Sequence, residues 1–440
     1  MDVIELLEGL VRIDSANPFE CRPGEGPDGT GWTLEGNETT IATFLEGQLR
    51  GAGFAVERQL VHRGSDGTPF ENLLGVKGDG PRSILFYGHM DTVTSRPWLS
   101  REEALTPRRE RKAIRGEERE AVVGLGANDM KAGLAVLLAA LRGVEPEGYR
   151  IKVAFGVDEE YYSLGAHVLA RSAFLDDVAA VVVPETGDGP NRWHGPSTIG
   201  LGRMGRCEFA IEVPGTGGHG AQAYNPDFVN AAVECARVVE KIEALRREWR
   251  DEYAFAPPGV PDAGAASSIR GSFYVNRVEA GDGTISVPAA GRVIVSFTHS
   301  PQVSQADGLR MFAEMVDGMY RDGTLRPVVI SGKERRATVR LRERPTPAGP
   351  AYATPADHPF TRFVREVVEG TVGFQNYNFG DSVADENVLA MHRPGLPILN
   401  ISPIGEDCHK AGEWVDVESV RQLVEVYRSL ALRFPDYFKR

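Results

Sequence analysis

Four short apolar runs bounded by turn residues, Ser83 to Tyr87, Ile151 to Val157, Val178 to Val183 and Pro397 to Ile401, read as buried strands. Helical patterns separate them, among them Ala132 to Leu141 and Ala166 to Leu175. This alternation predicts an α/β fold whose mostly parallel sheet is covered by helices on both faces. From about Arg206 the pattern changes. Strand-like Cys207 to Val213, a helix over Val229 to Arg247, strand-like Ser268 to Asn276 and Gly291 to Thr298, a helix over Gln305 to Tyr320 and strand-like Pro327 to Ser331 make a βαββαβ unit. The helical pattern of Phe360 to Glu369 and the strand at Pro397 then resemble the first half again. The expected organisation is a first domain of residues 1–205 and 345–440, with a ferredoxin-like α+β domain of residues 206–344 inserted into it.

Three stretches fit neither pattern. Phe255 to Ala266, rich in Pro, Gly and Ala, is expected to be a long loop within the inserted unit, and the Gly-rich Pro23 to Gly36 and the charged Arg101 to Glu120 to be solvated loops.

The 440-residue length agrees with two domains, since a single core stops growing well below it. The net charge of -13 argues against general affinity for nucleic acid or an anionic membrane, both of which require a basic face. Four scattered cysteines are too few for a disulfide framework and favour a reducing compartment. The N-terminus carries acids where a secretory signal carries bases, and the longest apolar stretch, Ala132 to Leu141, is too short to span a bilayer. A cytoplasmic protein is expected.

The chemistry gathers where strands end. Ser83 to Tyr87 runs into Gly88-His89-Met90-Asp91, which sets an imidazole and a carboxylate at the strand's C-terminal end, the edge where open α/β sheets collect ligands. Asp91 is suitably spaced to orient His89 through its second ring nitrogen. Gly124-Leu-Gly-Ala-Asn-Asp129 is a glycine-rich turn opening an apolar helix, and Asp129 alone could be a helix cap. Asp158, Glu159 and Glu160 follow another strand. Three adjacent carboxylates repel and call for a compensating cation, although a solvated acidic turn is the plain alternative. Glu185 and His409 follow two further strands, so four strand ends deliver His, Asp or Glu to one sheet edge. Two imidazoles with several carboxylates suit zinc, and after it manganese, cobalt or nickel; Cys408, beside His409, reads as a small buried residue.

In this order, His-x-Asp, Gly-x-Gly-x-x-Asp-Met-Lys, Asp-Glu-Glu, Glu and a late His, the motifs resemble those of the M20 metallopeptidases. That family includes aminoacylases, carboxypeptidase G, succinyl-diaminopimelate desuccinylase and acetylornithine deacetylase. The resemblance covers nearly the whole chain. It implies that Asp129 bridges two divalent ions, that His89 and Glu185 complete one and Glu160 and His409 the other, and that Asp91 orients His89. It also implies hydrolysis by metal-bound hydroxide, with Glu159 as the general base. His219, in Pro214-Gly-Thr-Gly-Gly-His219, matches a histidine that in dimeric relatives reaches the partner's active site and stabilises the oxyanion, which implies a homodimer through the inserted lid.

The resemblance weakens at the substrate. Relatives that bind an amino-acid carboxylate carry Asn-Val-Ile-Pro and Asp-x-Arg on adjacent lid strands; here the stretches read Ile285-Ser-Val-Pro288 and Ser296-Phe-Thr-His299. The lid arginine, a planar carboxylate anchor, is missing from its usual place, with His299 near it. The segment Asn378 to Asp385 resembles a loop lining the substrate pocket, which makes Asp381 a candidate contact. The expected activity is cleavage of an amide or peptide C–N bond in a small N-acyl amino acid or dipeptide-like substrate. The alternatives are hydrolysis of a non-peptide C–N bond, aromatic amine or carbamoyl, with release of ammonia, and an inactive binding homologue.

Overall fold

A computed structural model describes residues 2–23, 32–186, 195–248, 254–255 and 269–439. Its largest element is a nine-stranded sheet whose path runs Tyr352–Ala353, Thr198–Arg203, Ile398–Asn400, Val178–Val183, Ser83–His89, Arg150–Gly156, Pro69–Gly78 and Ala55–Arg63, with Asn376–Gly380 paired to Thr198–Arg203. The four strands around the centre are mutually parallel: Ser83–His89 lies between Arg150–Gly156 and Val178–Val183, and the latter pairs with Ile398–Asn400. All four coincide with runs read as buried strands. Successive side chains explain why these runs do not alternate in polarity. Ile84 and Phe86 enter a core with the helices Val3–Val11, Ala132–Leu141, Pro359–Thr371 and Val417–Arg433, while Leu85 and Tyr87 enter a second core with Leu169 and Leu389 on the other face. The helix expected over Ala166 to Leu175 is broken into Leu164–Ala170 and a single turn at Ala173–Leu175.

The second unit is a four-stranded antiparallel sheet in the order Ser272–Ala280, Ala290–His299, Gly205–Pro214, Thr338–Leu341, backed by the helices Ala231–Glu248 and Gln305–Arg321 around their own core. The expected closing strand is corrected here. Val328–Ile330 turns back on Lys333–Arg335 as a small hairpin, and Thr338–Leu341 closes the sheet against Gly205–Pro214. Cys207, Phe209, Ile211 and Val213 point into the helix-backed core, which leaves Arg206, Glu208 and Glu212 on the opposite face.

The charged Arg101 to Glu120 segment is not a solvated loop. It folds as a short helix, Arg101–Ala104, and a hairpin, Arg108–Ile114 with Glu117–Val123, whose second strand pairs with Trp414–Asp416. Arg119 fixes that pairing through Asp416 at 2.7 Å. The loop expected over Phe255 to Ala266 lies, beyond Phe255, outside the described residues, as does most of the Pro23 to Gly36 segment. Among the described residues no helix is long and apolar enough to cross a membrane.

Candidate metal centre

The parallel strands end at one edge, and the predicted residues meet there. His89 closes its strand with a fully buried ring. Its Nδ1 lies 3.0 Å from the backbone carbonyl of Asp91 and 3.4 Å from that residue's Oδ1. With Nδ1 donating to this carbonyl, the lone pair of Nε2 faces the centre of the site. There Nε2 is 3.2 Å from Asp129 Oδ1 and 3.2 Å from Glu185 Oε2. The other oxygen of Asp129 lies 3.2 Å from His409 Nε2, which is itself 3.1 Å from Glu160 Oε2. His89, Asp129 and Glu185 form one triad, and Asp129, Glu160 and His409 a second; within each, the candidate ligand atoms all lie within 4.8 Å of one another.

The backbone around these groups is specialised. Asp129 sits in the segment Ala127–Lys131 with non-helical φ -113° and ψ 94°, just after Gly126 at φ 74°, a value that favours glycine. Glu413 braces this turn. Its Oε1 accepts the N–H groups of Asn128 and Asp129 at 2.9 Å each, and its Oε2 accepts that of Gly126 at 2.9 Å. Asp91 does more than orient His89: its carboxylate accepts the N–H groups of Glu159 at 3.1 Å and Glu160 at 3.2 Å. Asn17 ties the same carboxylate to Asp158 by donating to both, at 3.2 and 3.1 Å. His409, with φ 63°, lies between the paired segments Gly405–Glu406 and Trp414–Asp416, so the charged hairpin supports a site residue.

The electrostatics describe an excess of carboxylates in a buried place. Burial, then the charge of Asp129, raises both Glu160 and Glu185 to about 7. Burial also holds Glu159 well above the usual carboxylate range, with Asp385 and Glu185 adding to the shift and His89 opposing it. Asp129 goes the other way: despite burial, its bonds to His409 and His89 hold it well below the usual range. His409 is raised to about 12 by its bonds to Asp129 and Glu160. Two imidazole nitrogens with three carboxylates, one of them facing both histidines, are a donor set that fits two divalent cations.

Beside the two triads lies a cleft of about 280 Å3. It is lined by Glu159, Glu160 and His409, by Arg206, Tyr274, Thr298 and Arg344, and by Asp381 and Ser382. Asp381 is among the residues lining the cleft. His299 is not: it is 3% exposed, stacked on Phe297 and packed so closely on Gly205 that a side chain there would collide with its ring. His219 is exposed in a lid loop, its Nδ1 accepting the N–H of Ala221 at 3.1 Å, and does not line this cleft. The sequence reading missed Glu413, Asn17, Arg206 and Arg344. Glu413 ends the motif that contains His409 and was legible there; the two arginines carry no local signal.

A mostly parallel sheet with an inserted antiparallel unit, and two carboxylate-histidine triads sharing one aspartate at its edge, define a metallohydrolase. The chain belongs to Peptidase family M20/M25/M40, whose profile matches residues 85–433. It is 25% identical to a succinyl-diaminopimelate desuccinylase of Sphingopyxis alaskensis over 98% of both chains. In fold it is similar to the aminopeptidase PepT of Bacillus cereus, with TM-score 0.67, 17% identity and 98% of each chain covered. It is similar also to a dinuclear metal-binding peptidase of the M20 family from Bacillus subtilis, with TM-score 0.61, 13% identity, and 99% of this chain and 98% of that one covered. The chain is therefore an amide or peptide hydrolase of the M20 family.

Proposed function

We propose that this hydrolase cleaves the amide bond of a small N-acyl amino acid or dipeptide-like compound, with two divalent ions, zinc in the first place, held by His89, Asp129, Glu160, Glu185 and His409. The observation that carries the reading is the pair of triads sharing Asp129, with Glu159 Oε2 4.0 Å from His89 Nε2. Bound there, the ions would supply Lewis acidity toward the scissile carbonyl and toward the attacking water. Glu159 takes the proton of that water and returns it to the leaving nitrogen. Asp91 holds the Glu159 backbone, so the base keeps its direction during the exchange.

The domain division at residues 205/206 and 344/345 and a homodimer through the lid belong to the same proposal. Exposed His219, with Ile285 86% and Tyr224 87% exposed nearby in the same lid, favours contact with a second copy, whose site His219 would serve as an oxyanion donor. The buried thiols of Cys207, Cys235 and Cys408 suit a reducing, cytoplasmic setting.

The test is elemental analysis of the purified protein, with loss and recovery of hydrolysis of N-acyl amino acids and dipeptides on chelation and metal return. Two ions per chain with metal-dependent release of amino acid is the expected result. Two ions without turnover of that panel would move the substrate to a non-peptide amine, and no metal after reconstitution would overturn the assignment.

A further inference from the structure

Asn128 stands one residue before Asp129 and is fully buried, yet it belongs to neither triad. Its backbone N–H goes to Glu413, which leaves the side-chain amide for other partners. There Nδ2 donates to Thr186 Oγ1 at 2.9 Å and to Cys408 Sγ at 3.0 Å. Thr186 follows Glu185, a member of one triad, and Cys408 precedes His409, a member of the other. One amide group thus bonds the chain neighbour of a ligand from each triad, while its own neighbour is the aspartate that the triads share.

The surroundings fix how this amide is turned. Both hydrogens of its NH2 group are used, and Oδ1 is buried without a hydrogen-bond partner. A buried carbonyl is left without a partner more readily than a buried N–H, so the reversed amide costs more. Gly405 packs against the same group: a Cβ there would come within 2.3 Å of Oδ1. The two segments that the amide holds differ in their other supports. Thr186 donates its N–H to Glu185 Oε1 at 3.0 Å, and its carbonyl accepts from Arg203 Nη2 at 2.9 Å. In the His409 segment Asp407 and His409 take positive φ values of 62° and 63°, and the His409 side chain is 55% exposed. Between Ile404 and Gly412 only Cys408 is buried.

We infer that Asn128 is a positioning residue of the metal centre: through Thr186 and Cys408 it sets where Glu185 and His409 stand relative to Asp129, and so the spacing of the two triads. This rests on the metal centre proposed above and adds to it a residue outside both triads. Loss of the amide leaves Glu185 its bond from the Thr186 N–H. It removes the amide's bond at the one buried residue of the His409 segment, so the triad of Asp129, Glu160 and His409 should lose more than that of His89, Asp129 and Glu185.

The test loads the full chain with cadmium ions, whose NMR spectrum gives one signal per bound ion, and measures zinc affinity by competition with a chelator. Wild type should show two signals. N128A should move both and lower zinc affinity by about 10- to 100-fold, the loss that follows removal of a ligand's supporting partner. T186V, which deletes the hydroxyl and keeps the shape, should move one signal and C408A the other; C408S, which keeps an acceptor, should recover most of what C408A loses. An Asn128 that only fills space predicts a less stable metal-free N128A chain with wild-type zinc affinity and both signals unmoved, and that result would overturn the inference. If N128A does not fold, T186V and C408A carry the same test, and signals unmoved in both variants overturn it. Absence of any bound ion in wild type would remove the metal centre and the inference with it, whereas two ions in wild type, with the variants unchanged, would remove the inference alone.

Discussion

Glu413 Oε1 accepts the backbone N–H of Asp129 at 2.9 Å, so the residue that faces both histidines is fixed from behind by a second, fully buried carboxylate. Burial and the charge of Asp129 raise Glu413 to about 8, and its bonds to the turn's N–H groups oppose that rise. The arrangement makes the turn's geometry depend on a residue that touches neither histidine in the triads. In E413Q, an amide N–H must face a backbone N–H at one of these contacts. Metal affinity should fall by about 10- to 100-fold, as when a ligand's supporting partner is lost. Competition titration against a chromophoric chelator measures it, and unchanged affinity would show that the turn holds without Glu413.

Glu159 belongs to neither triad, yet it lines the cleft. Replacing it by glutamine keeps the shape and removes the proton carrier. E159Q should lose about 10²- to 10⁴-fold in kcat while retaining two ions per chain by elemental analysis. Substantial residual activity with full metal content would assign the base elsewhere.

What could be read from the sequence follows from burial. Ser83–His89 and Val178–Val183 are buried on both faces or nearly so, which writes them as continuous apolar runs, and the site residues follow directly at the strand ends. Thr338–Leu341 is exposed or half-buried along its length and alternates with arginines, so the apolar Val328–Ile330 seemed the better strand; it is a hairpin arm that buries Val328 and exposes Val329 and Ile330. The charged hairpin at Arg108–Val123 escaped for the same reason, since much of its surface faces solvent. Arg206 and Arg344 become neighbours only through the pairing of Gly205–Pro214 with Thr338–Leu341, a long-range register that no local pattern contains.

His219 stands exposed beside Ser286 in a lid loop. If a second copy brings it to the neighbouring site, H219A should lower kcat by about 10²- to 10³-fold, the effect of removing one oxyanion donor. Metal content and sedimentation behaviour should stay as in wild type. Mixing H219A with E159Q subunits should restore part of the activity, because some mixed dimers then hold one complete site; no recovery on mixing would place the action of His219 within its own chain.

Glu38 gives a pH dependence of stability that can be separated from catalysis. It is buried, its Oε1 accepts the Asp158 N–H at 3.2 Å and its Oε2 the Asn37 N–H at 2.8 Å, and burial followed by the charge of Asp91 raises it from 4.5 to about 8. An acid whose folded value is raised binds its proton more tightly in the folded chain. Its contribution is therefore complete below pH 4.5 and is lost as the pH rises toward 8, because in that window the unfolded chain holds fewer protons than the folded one. Glutamine mimics the neutral form at every pH. The stability of E38Q relative to wild type should thus increase between pH 5 and pH 8 by about 1 kcal/mol or more, since one pKa unit corresponds to about 1.4 kcal/mol. Denaturant unfolding of both metal-free proteins at the two pH values measures the difference, and a stability of E38Q relative to wild type that does not rise between pH 5 and pH 8 would show that the folded chain does not hold the Glu38 proton more tightly than the unfolded one.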